Sequence, residues 1–113
     1  MAALESWYSH NTGTTPINLS EQQLVDCDSD NYGCNGGWPW KSLRHLANNG
    51  GGAVAEADYP YNGRDNSCNV DVSKAKIKPN TSKGYIYVKP NNEDHLEALD
   101  HSTLSVCLDA YLL

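Results

Sequence analysis

Residues 18–40 read NLSEQQLVDCDSDNYGCNGGWPW, and the order of capping, turn and apolar residues in them decides the fold. Ser20 followed three positions later by Gln23 is a capping box: the hydroxyl accepts from the Gln23 N–H, and the Gln side chain can reach back. Leu19 and Leu24 flank the box as a hydrophobic staple. A helix is therefore predicted from Ser20. Gly36 and Gly37 then turn the chain into a second helix that starts at Pro39, where a missing N–H costs nothing in the first turn. Trp40, Leu43 and Ala47 fall on one face of it, and the run Asn48-Asn49-Gly50-Gly51-Gly52 stops it.

Working outward, residues 2–9 have helical character but no N-cap residue. A short helix is predicted over residues 93–100, with Asn92 as its cap, Glu93 and Asp94 at its positive end, and Leu96 and Leu99 as its apolar stripe. Residues 84–89 (GYIYVK) are β-prone, and residues 103–110 alternate through Leu104, Val106 and Leu108, so both are predicted strands. Asn62-Gly63 and Pro79-Asn80 mark turns. The class is α+β, with helices first and two β-strands at the C-terminal end.

The chain has 113 residues, 39% apolar, with seven Tyr, three Trp and no Phe. That supports a modest core that gains from cross-links. A net charge of −6 argues against nucleic acid and anionic membrane as partners, since a phosphate surface would repel it. No apolar run approaches the roughly 18 residues that a membrane span needs. No secretory signal is read ahead of Ala2, so Met1 is taken either as an initiator or as an ordinary residue. Four Cys in so short a chain point to an oxidising compartment, and four thiols allow three pairings. Sequons at Asn18 (Asn-Leu-Ser) and Asn80 (Asn-Thr-Ser) are candidate glycosylation sites compatible with a secreted or lysosomal-type, vesicular location.

Residues 18–40 also resemble the papain and cathepsin family of cysteine proteases, in which a Leu-Ser-Glu-Gln helix leads to one Cys and then to a second Cys followed by Asn-Gly-Gly. Ala2-Ala3-Leu4-Glu5 resembles the family's central helix, and Tyr59-Pro60-Tyr61 followed by Cys68 its Tyr-Pro-Tyr stretch. Ser105-Val106-Cys107-Leu108-Asp109-Ala110 resembles the strand that opens its second domain. The resemblance implies a partial papain-like fold: residues 1–78 as the helical left domain without its N-terminal segment, and residues 79–113 as the beginning of a right, β domain. Thr103, where the family commonly has Pro, and the tail Tyr111-Leu112-Leu113 depart from the pattern. Gly50-Gly51-Gly52 reads as a small expansion.

The resemblance places the family's nucleophilic Cys about six residues before Met1, and its His and Asn roughly 130–150 residues beyond that Cys, past Leu113. No catalytic residue is therefore expected in this chain, and no metal or cofactor. His10, His45, His95 and His101 are read as structural or surface residues, because no Cys here opens a helix beside one of them. What the resemblance leaves in the chain is one wall of a peptide cleft. Asn35, Gly36 and Gly37 would lie flush with an extended peptide, where a Cβ would block the approach. Trp38 and Pro39 would line a pocket for the substrate's second side chain, favouring an apolar or aromatic one. The residues alone are also satisfied by a plain tight turn at Gly36-Gly37.

By the same resemblance Cys27 and Cys68 form a disulfide, and the usual partner of Cys34 lies before residue 1. Cys34 and Cys107 are then free, bridged to another chain, or paired with each other. Two functions of different class follow. One is a fragment or truncated homologue of a cysteine endopeptidase, whose partner is a peptide or protein substrate. The other is a non-catalytic relative used for self-assembly or for docking onto another protein, through surface that the second domain would otherwise cover.

Overall fold

Among the described residues four α-helices form: α1 (Ala2–Thr12), α2 (Glu21–Cys27), α3 (Pro39–Asn48) and α4 (Asn92–His101), with single 3-10 turns at Gly33–Asn35 and Val72–Lys74. The structure, a computed structural model, describes residues 1–48 and 51–111; the readings made on Asn49, Gly50, Leu112 and Leu113 fall outside them. α1 runs three residues past its predicted end. Asn11 Nδ2 donates to the Trp7 carbonyl and the Thr12 hydroxyl to that of Tyr8, holding a polar last turn until Gly13, at φ 65°, ends it.

α2 begins as its capping box predicts, with the Ser20 hydroxyl accepting from the Gln23 N–H at 3.0 Å. The return half of the box differs. The Ser20 N–H donates to the Val54 carbonyl, while Gln23 reaches across with Nε2 to the Gly52 carbonyl (2.9 Å) and Oε1 to the Val54 N–H (3.0 Å). Gln22 plays the same part on the other side. Its Nε2 donates to the Arg64 carbonyl and to Asp26, and its Oε1 accepts from the Asn62 and Gly63 N–H groups. Both amides are buried, and each ties α2 to irregular backbone that has no ladder of its own, which satisfies buried polar groups at both ends.

The core gathers Leu4 of α1, Leu19, Leu46 of α3, Ala53 and Ile77, with Trp7, Ile17, Leu24 and Leu43 packed on it. Leu19 and Leu24 both enter it, as the staple requires. Two isolated antiparallel bridges, Leu19↔Ala55 and Ala53↔Ile77, hold residues 51–55 across it. Gly52 of the glycine run is buried at the end of this strip.

No strand is formed among the described residues, so the predicted strands at 84–89 and 103–110 are corrected to unpaired chain. A strand needs a neighbouring edge for its N–H and C=O groups, and none is offered here. The alternation in 84–89 is used all the same. Tyr85 and Tyr87 stack on Trp40 of α3, with ring centroids 5.4 and 6.4 Å away, while Ile86 between them is 91% exposed. In α4 the cap is Asn91 rather than Asn92, its Oδ1 accepting from the Asp94 N–H at 2.8 Å. Leu96 and Leu99, the predicted stripe, are exposed.

Asp26 makes the fold acid-sensitive. Partial burial pushes its carboxyl up, but the Asn66 N–H, the Tyr59 hydroxyl, the Gln22 amide and the Asn66 side chain outweigh this and hold it below its ordinary value. A depressed folded pKa means that the unfolded chain binds more protons in acid. Its contribution to stability is thus complete above the ordinary carboxylate pKa and is lost as pH falls through the folded one. Asp26→Asn is expected to lower stability near neutrality and to make the acid fall shallower. Denaturant midpoints taken from about pH 6 to about pH 2 check this; curves of equal slope would refute it. The slope that remains belongs to groups such as Asp30, held down by Arg44, and Asp71, held down by Ser73.

Candidate functional site

Between α1 and the start of α3 lies an open cleft of about 330 Å³. Leu24, Leu43 and Leu46 contribute apolar lining, and Gly36, Gly37, Trp38 and Pro39 form one rim. The rim is built by a turn that the sequence spells with glycine for two different reasons. Gly36 sits at φ 99°, ψ −166°, a region essentially reserved for glycine. A Cβ built on it would meet nothing within 4 Å, so packing does not require a glycine at this position of the cleft rim. Gly37 is not among the glycines at positive φ, yet a Cβ there would fall on the Asn31 side chain.

Asn31 fills that space because it carries the rim. Its Oδ1 accepts from the Trp38 N–H at 2.8 Å, and its Nδ2 donates to Asp28 Oδ2 (2.7 Å) and Ser42 Oγ (2.9 Å). The Tyr32 N–H donates to the Gly36 carbonyl at 3.0 Å and closes the turn. On the outer side of α3, Arg44 binds Asp30 at 2.9 Å and lies over the Trp40 ring. Trp38 is 55% exposed, an indole laid open at the rim.

The predicted site residues thus divide. Asn35, Gly36, Gly37, Trp38 and Pro39 are contiguous and exposed, and the last four line the cleft. Cys27 and Cys68 are joined in a disulfide, with Cα atoms 4.8 Å apart. Cys34 and Cys107 are both free and exposed. The Cys34 N–H donates to Asp65 Oδ1, and desolvation together with the Asp65 carboxylate pushes its thiol above the ordinary value. Little thiolate is available there, so Cys34 is a weak nucleophile. Asn18 and Asn80 are exposed, Asn80 in the left-handed conformation of a turn.

The four His stand apart in role. His10 and His101 are exposed at helix ends, and His95 Nδ1 lies 2.8 Å from the Asn91 carbonyl. His45 is buried, as the structural reading has it and the surface one does not, with Nδ1 3.8 Å from Asp28 Oδ1. Sequence reasoning missed Asp28, Asn31 and Ser42, which hold the rim. Their spacings cross from a turn into a helix, and no local periodicity links them.

The family model described as papain family cysteine protease matches residues 1–113. Zingipain-1 of Zingiber officinale is 40% identical over 95 residues, covering 83% of this chain and 41% of that protein. The viral cathepsin of Adoxophyes honmai nucleopolyhedrovirus is 40% identical over 96 residues, covering 83% and 27%. Among solved structures, a cysteine protease of Carica candamarcensis superposes with a TM-score of 0.73 at 34% identity, over 89% of this chain and 46% of its own. The ragweed pollen allergen Amb a 11, a cysteine protease solved as its proform, gives 0.75 at 35% identity, over 88% and 30%. The chain therefore spans less than half the length of each of these relatives.

Proposed function

The chain belongs to the papain family of cysteine proteases, and from that membership we propose that it serves a cysteine endopeptidase as the helical side of its substrate cleft. The Cys and His of the chemistry come from sequence beyond these 113 residues. There a thiolate attacks the scissile carbonyl, the amine leaves, and water releases the acyl-enzyme. Residues 1–78 act as the left domain and residues 79–113 open the right, β domain, where 84–89 and 103–110 become strands once edges exist for them. Asn35, Gly36 and Gly37 run beside the peptide backbone, and Trp38 and Pro39 face an apolar or aromatic second side chain.

The observation that carries this reading is Gly36: a glycine-only conformation on the rim of the cleft, with open space where a Cβ would stand. In the full-length protein Gly36→Val is expected to raise KM for a dipeptidyl amide by at least about tenfold. It fills the peptide's place and strains the rim. The 113-residue chain alone is expected to hydrolyse no fluorogenic dipeptide amide. Hydrolysis by the chain alone, stopped by a thiol-directed inhibitor, would sink the assignment of its catalytic groups elsewhere.

A second reading, self-assembly or docking onto a partner by a non-catalytic relative, is favoured by one observation. Ile86 is 91% exposed, and Val106 and Leu108, which flank the free Cys107 in sequence, are 63% and 66% exposed. Sedimentation of the chain separates the two: a dimer at micromolar concentration supports assembly, a monomer the endopeptidase part. A secreted or lysosomal-type location, with glycans on Asn18 or Asn80, accords with the disulfide and the exposure of both Asn residues.

A further inference from the structure

The rim of the cleft is held from below by one buried carboxylate. Asp28, 4% exposed, sits at the end of α2. Its Oδ2 accepts from Asn31 Nδ2 at 2.7 Å and from the Ser42 hydroxyl at 2.7 Å. Its Oδ1 accepts from the Asp30 N–H at 3.1 Å and faces His45 Nδ1 at 3.8 Å. A carboxylate only accepts, so Asn31 must turn its NH₂ toward Asp28. That turns its oxygen toward the Trp38 N–H, 2.8 Å away, and sets the peptide between Gly37 and Trp38. Gly37 completes the device, since any Cβ there would displace Asn31.

Resting on the proposed function, we propose that Asp28 is a positioning residue for substrate binding, acting through Asn31 to fix the Gly36-Gly37-Trp38 rim. It touches no substrate. It chooses the direction of the Asn31 amide, and so the height and tilt of the backbone against which an extended peptide lies. Small misplacements of such a rim weaken binding without touching the chemistry. The effect belongs to substrates long enough to reach Trp38, and not to an amide carrying a single residue ahead of the scissile bond.

The test uses the full-length protein with Asp28→Asn, which keeps shape and volume but puts an NH₂ where one of two accepting oxygens stood. KM for a dipeptidyl amide should rise about fivefold with kcat little changed. KM for a single-residue amide should stay within about twofold, and Trp38 N–H exchange should quicken about tenfold. Asn31→Ala should give the same KM rise, and Asp28→Asn added to it should give no more, because both act on one contact. Additive effects, an unchanged Trp38 exchange rate, or equal losses on both amides with a lowered Tm would each overturn the assignment. A wild-type protein inactive on both amides would overturn the proposed function as well. An active wild type with an unchanged Asp28→Asn variant would overturn this assignment alone.

Discussion

Replacing Cys27 and Cys68 together by Ser is expected to lower the free energy of unfolding by about 4 kcal/mol, from the loop entropy released to the unfolded chain. The bond closes a separation of 41 residues. What it holds has little else to hold it. Residues 60–69 are exposed throughout, so this loop returns almost no apolar burial. Its other ties are polar: Tyr59 Oη to Asp26 (2.8 Å), the Asn66 N–H to Asp26 (2.9 Å), the Arg64 carbonyl to Gln22, and Asp65 to the Cys34 N–H. Each contributes about 1–2 kcal/mol net, those to the carboxylates the most, and all of them need the loop already in place. The double variant, or the wild type in reductant, should therefore melt about 15 °C lower. Amide exchange should quicken first in residues 59–70. A shift smaller than about 1 kcal/mol would mean that the Asp26 and Gln22 network organises the loop unaided.

Helix positions could be read in advance because their signals are local. Ser20 with Gln23, and Pro39 after two glycines, specify starts within a few residues. Even there the choice between Asn91 and Asn92 as a cap is invisible in sequence, since adjacent Asn residues differ only in which reaches the Asp94 N–H. The strands failed for a reason of another kind. Residues 84–89 alternate as a strand should, and Tyr85 and Tyr87 do share one side, against Trp40. A strand is a property of a pair, however, and no second edge lies among the described residues. In the site, Gly36-Gly37 was singled out through the family resemblance, since the residues alone are equally satisfied by a plain tight turn. Asp28, Asn31 and Ser42 are common polar residues that matter only once α3 folds back over the turn. For His45 the sequence left a structural and a surface place open, and only the placement of Asp28 beside it decides for burial.

The sequence reading of Gly52 as loop material and its structural place in the core make opposite forecasts for Gly52→Ala. A loop glycine at positive φ loses about 1–2 kcal/mol when it gains a Cβ, from the left-handed conformation alone. Gly13, at φ 65° with nothing within 4 Å of a built Cβ, is such a case, and Gly13→Ala should cost no more than that. Gly52, at φ 88°, carries the same conformational cost, but its Cβ would also collide with the Ile77 carbonyl oxygen. That atom is backbone and cannot swing aside. It accepts from the Ala53 N–H at 2.9 Å, so relief of the clash must open the Ala53↔Ile77 bridge. Opening it loosens Ala53 and Ile77, 0% and 3% exposed in the core, and withdraws the Gly52 carbonyl from Gln23. Gly52→Ala should thus cost more than about 3 kcal/mol, the strain of the conformation with lost packing added. Denaturant midpoints of the two variants, measured side by side, isolate the clash as their difference. Equal losses would return Gly52 to the class of turn glycines and leave the bridge as a contact that can yield.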